Sequence, residues 1–349
     1  MMEEEIEYLI VGQGIVGTML SHFLLRQNKK IKVIDLFHPN SSSNIAAGVV
    51  NPVTGRRMAK SWMIDELLPF ATQTYRELEK ELKVSFLFEQ PIYRIFSSED
   101  DKKIWDKKKQ DAEYFEYLGD WLPQTDDHIE SPYGIGIIKN AMWMDVPVLI
   151  RAFREKLLQE NLLLEDAFDY ERLEMDENGF RYGHLRAKYL VFCEGYKAIY
   201  NPFFSSIPFT TAKGEHLVVQ SEQLSTGRIY NRNTYILPKS PGRYTLGSTF
   251  VWDDLSETVS EESRKELLAK WHKMTSADAI IVEEKAGIRP TMKDRRPVVG
   301  RHTKWPHMFI LNGMGTKGVS LSPYFSWQLI QYIQSGNPLS EEVNPDRFV

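Results

Sequence analysis

Gly12, Gly14 and Gly17 stand in GxGxxG spacing directly after the apolar run Ile6–Val11, and Asp35 closes a second apolar run, Ile31–Ile34. These residue types at this spacing suit a dinucleotide. Gly12 permits a tight turn, Gly14 carries no Cβ to hold a pyrophosphate off the backbone, and Gly17 lets a following helix lie close to the strand. Ile15 and Val16 open that helix, so its N-terminal amides and positive dipole end face the phosphates. Asp35 falls where a carboxylate accepts ribose hydroxyls and repels a phosphorylated ribose. The spacing alone does not separate FAD from NAD.

The elements that must position these residues are a strand, a helix and a second strand. Val16, Met19, Leu20, Phe23 and Leu24 form a stripe at helical spacing, which predicts a helix with Thr18, Ser21, His22 and Arg26 turned outward. Ala46, Ala47 and Gly48 have two readings, a backbone pressed against something flat or close helix packing. Ile64–Leu82 reads as an amphipathic helix, and Asp145 as the cap of another whose first turn holds Pro147. A strand ending at Cys193, Glu194 and Gly195 is a second place where a buried run stops at glycine. Cys193 reads as a reactive thiol or a buried core cysteine, and the continuous VFC run favours the core.

Between residues 83 and 145 the texture changes to short β-like runs and a charged helix opened by Ser98. The basic run Lys102–Lys109 is interrupted by Asp106 and flanked by Asp100, Asp101, Asp111 and Glu113, so it reads as a solvated face rather than an RNA patch. Residues 211–250 are β-rich again, Glu261–Met274 reads as a helix, and nucleotide-domain texture returns near the C-terminus. The resulting expectation is an α/β protein. A discontinuous Rossmann-like dinucleotide-binding domain takes residues 1–82, 146–205 and 285–349, and an α+β substrate domain on a mixed or antiparallel sheet takes 83–145 and 206–284.

A net charge of −5 over 349 residues argues against broad electrostatic binding of nucleic acid. One cysteine provides no disulfide framework, the N-terminus is acidic where a secretory signal is basic, and no apolar run reaches bilayer length. Together these predict a cytoplasmic protein without a membrane span.

The N-terminal glycines, AAGVVNP, AKGEHLVV, TYILPKSPGRYTLGST, GIRPTMKDRRPVVG and NGMGTKGVSLSP occur in the order in which the chain resembles, end to end, the FAD-dependent D-amino-acid-oxidase superfamily, glycine oxidases most of all. The resemblance implies that Gly12, Gly14, Gly17 and Asp35 hold the adenosine half of FAD and that Ala47, Gly48 and Val49 run beside the flavin. Tyr170 and Gly195 match adenine-side and pyrophosphate-side positions. Gly313, Gly315, Thr316, Lys317 and Gly318 match the loop whose amides face the flavin pyrimidine edge, where they stabilise the anionic reduced ring. Arg289 matches the arginine that holds a substrate carboxylate, a task for its planar fork, and Tyr235 a tyrosine that reaches the substrate. From the residues alone, Arg289 also reads as a structural partner of Asp294, and Tyr235 as core.

The departures are informative. Thr316 and Met314 stand where glycine oxidases carry arginine and histidine, which implies a pocket not built for glycine itself. Gly287 stands where sarcosine oxidases carry a flavin-linking cysteine, implying noncovalent FAD, and Thr245 falls near their oxygen-activating lysine. Lys317 reads as a replacement cation or as a surface charge. The implied function is oxidation of the C–N bond of an amino acid or N-substituted amino acid by hydride transfer to flavin, with a small-molecule substrate and no metal. The alternatives are a flavin dehydrogenase with an acceptor other than oxygen, a tRNA wobble-base side-chain oxidase, and a dinucleotide-binding module without turnover.

Overall fold

The computed structural model describes residues 3–224, 226–252 and 254–348. Its first sheet has eight strands and a parallel centre: Glu4–Val11 lies between Ile31–Ile34 and Leu185–Phe192, with Leu163–Leu164 beyond one side and Met308–Asn312 on the other. Ile31–Ile34 is buried at every position and Met308–Asn312 likewise, as strands covered on both faces must be. An antiparallel hairpin, Leu173–Asp176 with Gly179–Tyr182, extends the N-terminal half of Leu185–Phe192.

The helix Ile15–Arg26 departs from the amphipathic reading. Thr18, Ser21 and His22 are buried, not outward, while Val16 and Phe23 are only partly buried. The helix is sandwiched between its sheet and the C-terminal helix Gly318–Ser335, and His22 faces Glu81 at 3.4 Å. Ile64–Leu82 has the expected bounds and buries Leu68, Ala71, Tyr75 and Leu78. The expected Glu261–Met274 helix ends at His272. Asp145 does occupy the N-cap of Val146–Gln159, yet its side chain makes no capping hydrogen bond. Ser98 does cap its helix by accepting from the Asp101 N–H, and Trp105 within the basic run is fully buried with Nε1 on the Gly119 carbonyl. The run therefore packs on the core through its aromatic residue and leaves Lys103 and Lys107 to solvent, while Lys102 lies over Trp121 and Lys108 over Tyr114.

The second sheet has nine strands and is mixed. One end of it is the long antiparallel pair Phe209–Gln220 and Ile280–Met292, followed across the sheet by Arg243–Gly247, Tyr235–Ser240 and Ile229–Asn231. Ile229–Asn231 joins Ile92–Ile95 in parallel, the one parallel pairing among these described strands. The 280–292 strand packs on residues 42–45 and 315–317, and both long strands meet residues 195–200. Gly287 packs on Ile45, and Thr291 lies against Gly315.

Candidate active site

At the end of Glu4–Val11 the chain turns through Gly12 at φ +100°, where a Cβ would lie 2.5 Å from the Cys193 carbonyl oxygen. Only glycine fits that approach. The helix then starts with Gly14 at the N-cap and no side-chain cap, while Ser43 Oγ accepts from the Ile15 N–H at 3.0 Å. The positive helix end therefore opens into a cleft of about 480 Å³ that runs from Asp35 to the second sheet.

Asp35 is not a free carboxylate. Oδ1 accepts from the Gln13 N–H at 2.9 Å, and Oδ2 accepts from Arg154 Nη1 at 2.7 Å. Arg154, buried on the Val146–Gln159 helix, also donates to Gln13 Oε1, the Asp35 carbonyl and Glu165. A carboxylate has roughly four lone-pair directions, so two bonds fix Asp35 and leave capacity for ribose hydroxyls. The arginine also offsets the repulsion expected of a lone acid. Nothing local in sequence marks Arg154, which lies 119 positions from Asp35.

Fifteen of the eighteen expected residues line this one cleft: Gly12, Gly14, Ile15, Val16, Asp35, Ala47, Gly48, Val49, Gly195, Tyr235, Arg289, Gly315, Thr316, Lys317 and Gly318. Gly17, Tyr170 and Gly313 do not reach it. Gly17 packs against the Gly12 backbone, the close helix–strand contact its spacing predicted. Tyr170 sits behind Glu194, to which its hydroxyl donates, and Glu194 rather than Tyr170 borders the cleft. Gly313 packs on Met292 and Val298. Cys193 does line the cleft, but it is buried and burial pushes its thiol pKa up, which disfavours the reactive thiolate.

At the opposite end, Arg289 lies flat over Gly214. Nη1 donates to the Lys213 and Thr249 carbonyls at 3.3 and 3.2 Å, Nη2 donates to Ser248 Oγ at 2.7 Å, and Phe250 stacks on the guanidinium at 4.4 Å. Asp294, the structural partner considered from sequence, instead accepts from Arg347. Among the described residues no carboxylate comes within ion-pair distance of Arg289. Burial lowers its pKa, opposed by Tyr235 and Glu215, and a guanidinium stays charged regardless. Burial also raises the Tyr235 hydroxyl's pKa, so it remains a donor.

His216 lines the same end, and sequence reading missed it. Burial, with Lys285, Lys239 and Arg289 nearby, depresses its pKa to about 3, so the ring is neutral. The acids that border the cleft, Asp35 and Glu194, both belong to the dinucleotide end. The sheet-facing end is thus cationic, with Arg289 and Lys317. Burial, Arg296 and Arg295 lower the Lys317 pKa. Gly12–Val16 and Asp35 line one stretch of the cleft, and Ala47–Val49 and the loop Gly315–Gly318 line another.

A protein-family model described as FAD dependent oxidoreductase, the DAO family, matches residues 7–331. A glycine oxidase of Bacillus licheniformis is 23% identical over 370 residues, spanning 98% of this chain and 96% of its own. A tRNA 5-methylaminomethyl-2-thiouridine biosynthesis bifunctional protein of Leptospira interrogans is 22% identical over 97% of this chain but only 60% of its own. Among solved structures, glycine oxidase from Geobacillus kaustophilus superposes with a TM-score of 0.81 at 18% identity, covering 96% of each chain. Iminodiacetate oxidase from a Chelativorans species gives 0.77 at 18% identity, over 97% of this chain and all of the other.

Proposed function

Since the chain belongs to the DAO family of FAD-dependent oxidoreductases, we propose that it oxidises the C–N bond of a small amino acid or N-substituted amino acid whose carboxylate is held by Arg289. The observation that carries this reading is a half-buried guanidinium facing the cleft whose hydrogen bonds, among the described residues, all go to neutral acceptors. Such a group leaves part of its fork for a planar anion, and a carboxylate matches that fork bidentately. Tyr235, kept protonated by burial, supplies a second donor to the same substrate.

In this reading residues 1–82, 146–205 and 285–349 form the FAD-binding part and 83–145 and 206–284 the substrate part. Gly12, Gly14, Ile15, Val16 and the Asp35–Arg154 pair hold the adenosine and pyrophosphate end. Ala47–Val49 and Gly315–Gly318 border the flavin ring, with Gly17, Gly313 and Tyr170 supporting from behind. FAD, when bound, supplies the two-electron acceptor for the hydrogen on the carbon beside the amine. The chain's own side chains bind and orient: Arg289 and Tyr235 fix the carboxylate, and orientation of this kind is a large part of catalysis. Among the described residues bordering this end, His216 has a depressed pKa and binds protons weakly. The substrate amine must therefore arrive neutral. The Lys317 ammonium and the first amides of Gly318–Ser335 favour negative charge at the ring's edge.

The test is Arg289→Ala. It should raise KM for the carboxylate substrate by at least about a hundredfold, the scale of a lost charge-assisted pair, while the protein stays yellow. An unchanged KM removes Arg289 from the site. Turnover with tRNA as the sole electron donor would favour the tRNA reading over a free amino acid.

A further inference from the structure

The face of the Phe209–Gln220 strand that looks away from the cleft carries a buried charge cluster. Lys213 and Glu215 flank Gly214, on which Arg289 rests, so strand alternation turns both side chains to the far side. Their side chains are 1% and 0% exposed, and the two charges are 3.1 Å apart. Lys213 Nζ also donates to Asp254 and to Ser256 Oγ, at 2.8 and 3.0 Å. Glu215 accepts from Thr249 Oγ1 at 2.8 Å, from the Ser260 N–H at 2.8 Å and from the Ser263 hydroxyl.

A buried ion pair is weak evidence for stability, because desolvation offsets most of its attraction. Its connections here lead to the substrate arginine. Thr249 is tied to Glu215 three times: its N–H donates to the Glu215 carbonyl at 3.0 Å, its Oγ1 accepts from the Glu215 N–H at 3.1 Å, and the same hydroxyl donates to the carboxylate. The Thr249 carbonyl and the adjoining Ser248 hydroxyl are two of the acceptors that aim Arg289, and the Lys213 carbonyl is the third.

We propose that Glu215 and Lys213 are positioning residues for substrate-carboxylate recognition: they lock the 248–249 segment and the 213–215 strand into the cradle that holds the Arg289 guanidinium flat over Gly214. The proposal rests on the reading of Arg289 as the carboxylate clamp. Neither residue touches substrate or flavin. Their effect reaches the cleft through two backbone carbonyls and one hydroxyl.

The experiment titrates flavin-loaded protein with pyrrole-2-carboxylate and, separately, with its uncharged carboxamide, following perturbation of the flavin absorbance. Glu215→Gln should weaken the carboxylate about tenfold or more and leave the carboxamide within about twofold, the range of one charge-assisted hydrogen bond against none. Thr249→Ala, which removes both side-chain links of Thr249 to Glu215 while keeping the ion pair, should do the same and guards against a misfolded Glu215 variant. In an Arg289→Ala background, Glu215→Gln should add nothing, because the two act through one contact. Equal weakening of both probes, no weakening by either variant, or additivity with Arg289→Ala overturns the positioning role. If Arg289→Ala alone leaves carboxylate binding intact, the clamp reading itself fails, and the positioning role with it.

Discussion

Gly214→Ala separates fold from function more cleanly than removal of any polar group. A Cβ at position 214 would lie 2.6 Å from Arg289 Nη1, and closer still to Nη2 and the guanidinium carbon. Ordinary contact needs about 3.5 Å, so the guanidinium must retreat by about 1 Å or more. It cannot sink, because Nη1 and Nη2 are already held by Lys213, Thr249 and Ser248, and Phe250 covers the outer face. A displacement of that size costs on the order of a hundredfold where orientation drives the reaction. The strand itself tolerates alanine: Gly214 has no positive φ, and replacing a strand glycine contributes roughly 0.5–1 kcal/mol of stability. Overpacking costs about 1–3 kcal/mol, partly offset by that gain, so the variant should melt within several degrees of the parent, stay folded and yellow, and show kcat/KM down about a hundredfold, with KM for the carboxylate substrate carrying most of the loss. Wild-type kcat/KM in Gly214→Ala would refute the placement of Arg289 on the glycine. A colourless or unfolded protein would refute the claim that the strand accepts a side chain.

Three further outcomes follow from the same geometry. Gly12→Ala forces a left-handed backbone on alanine, costing about 1–3 kcal/mol, and drives Cβ toward the Cys193 carbonyl, so the protein should purify without flavin colour; retained colour would place the pyrophosphate elsewhere. Arg154→Met leaves Asp35 with the Gln13 amide alone, and should lower Tm by several degrees, about 1–3 kcal/mol, while weakening FAD measured by equilibrium dialysis. For pH, kcat/KM should rise with alkalinity through the substrate's own ammonium pKa, since the Tyr235 pKa is raised and that of His216 depressed to about 3. Because the folded His216 pKa lies below its ordinary 6.5, its contribution to stability is present above pH 6.5 and is lost as pH falls toward about 3. A His216→Gln variant should lose part of that acid sensitivity in thermal melts.

The glycine turn, its two strands and Asp35 were legible because each depends on local chemistry: a close backbone approach, a buried run, a carboxylate at a strand end. The Ile64–Leu82 helix was legible for the same reason, through its one apolar face. The burial of Thr18, Ser21 and His22 was not, because it is set by what packs on the helix from the far end of the chain. Arg154 and His216 escaped notice because each acquires its role from partners distant in sequence, through Asp35 and through the cations around the sheet. Glu215 looks like an ordinary strand acid until Ser260, Ser263 and Thr249 converge on it. The GIRP motif pointed to Arg289, but the cradle of Gly214, Ser248 and Thr249 is visible only once the Phe209–Gln220 and Ile280–Met292 strands pair.

The most direct test is the flavin absorbance of the purified protein under anaerobic conditions as glycine, sarcosine, D-amino acids and L-proline are added in turn, each beside its carboxamide. The account predicts that one amino acid bleaches the flavin, that its carboxamide does so far more slowly, and that Arg289→Ala abolishes the difference. Bleaching by acid and amide at equal rates, or by none of the amino acids, would contradict a carboxylate-directed amine oxidation at this site.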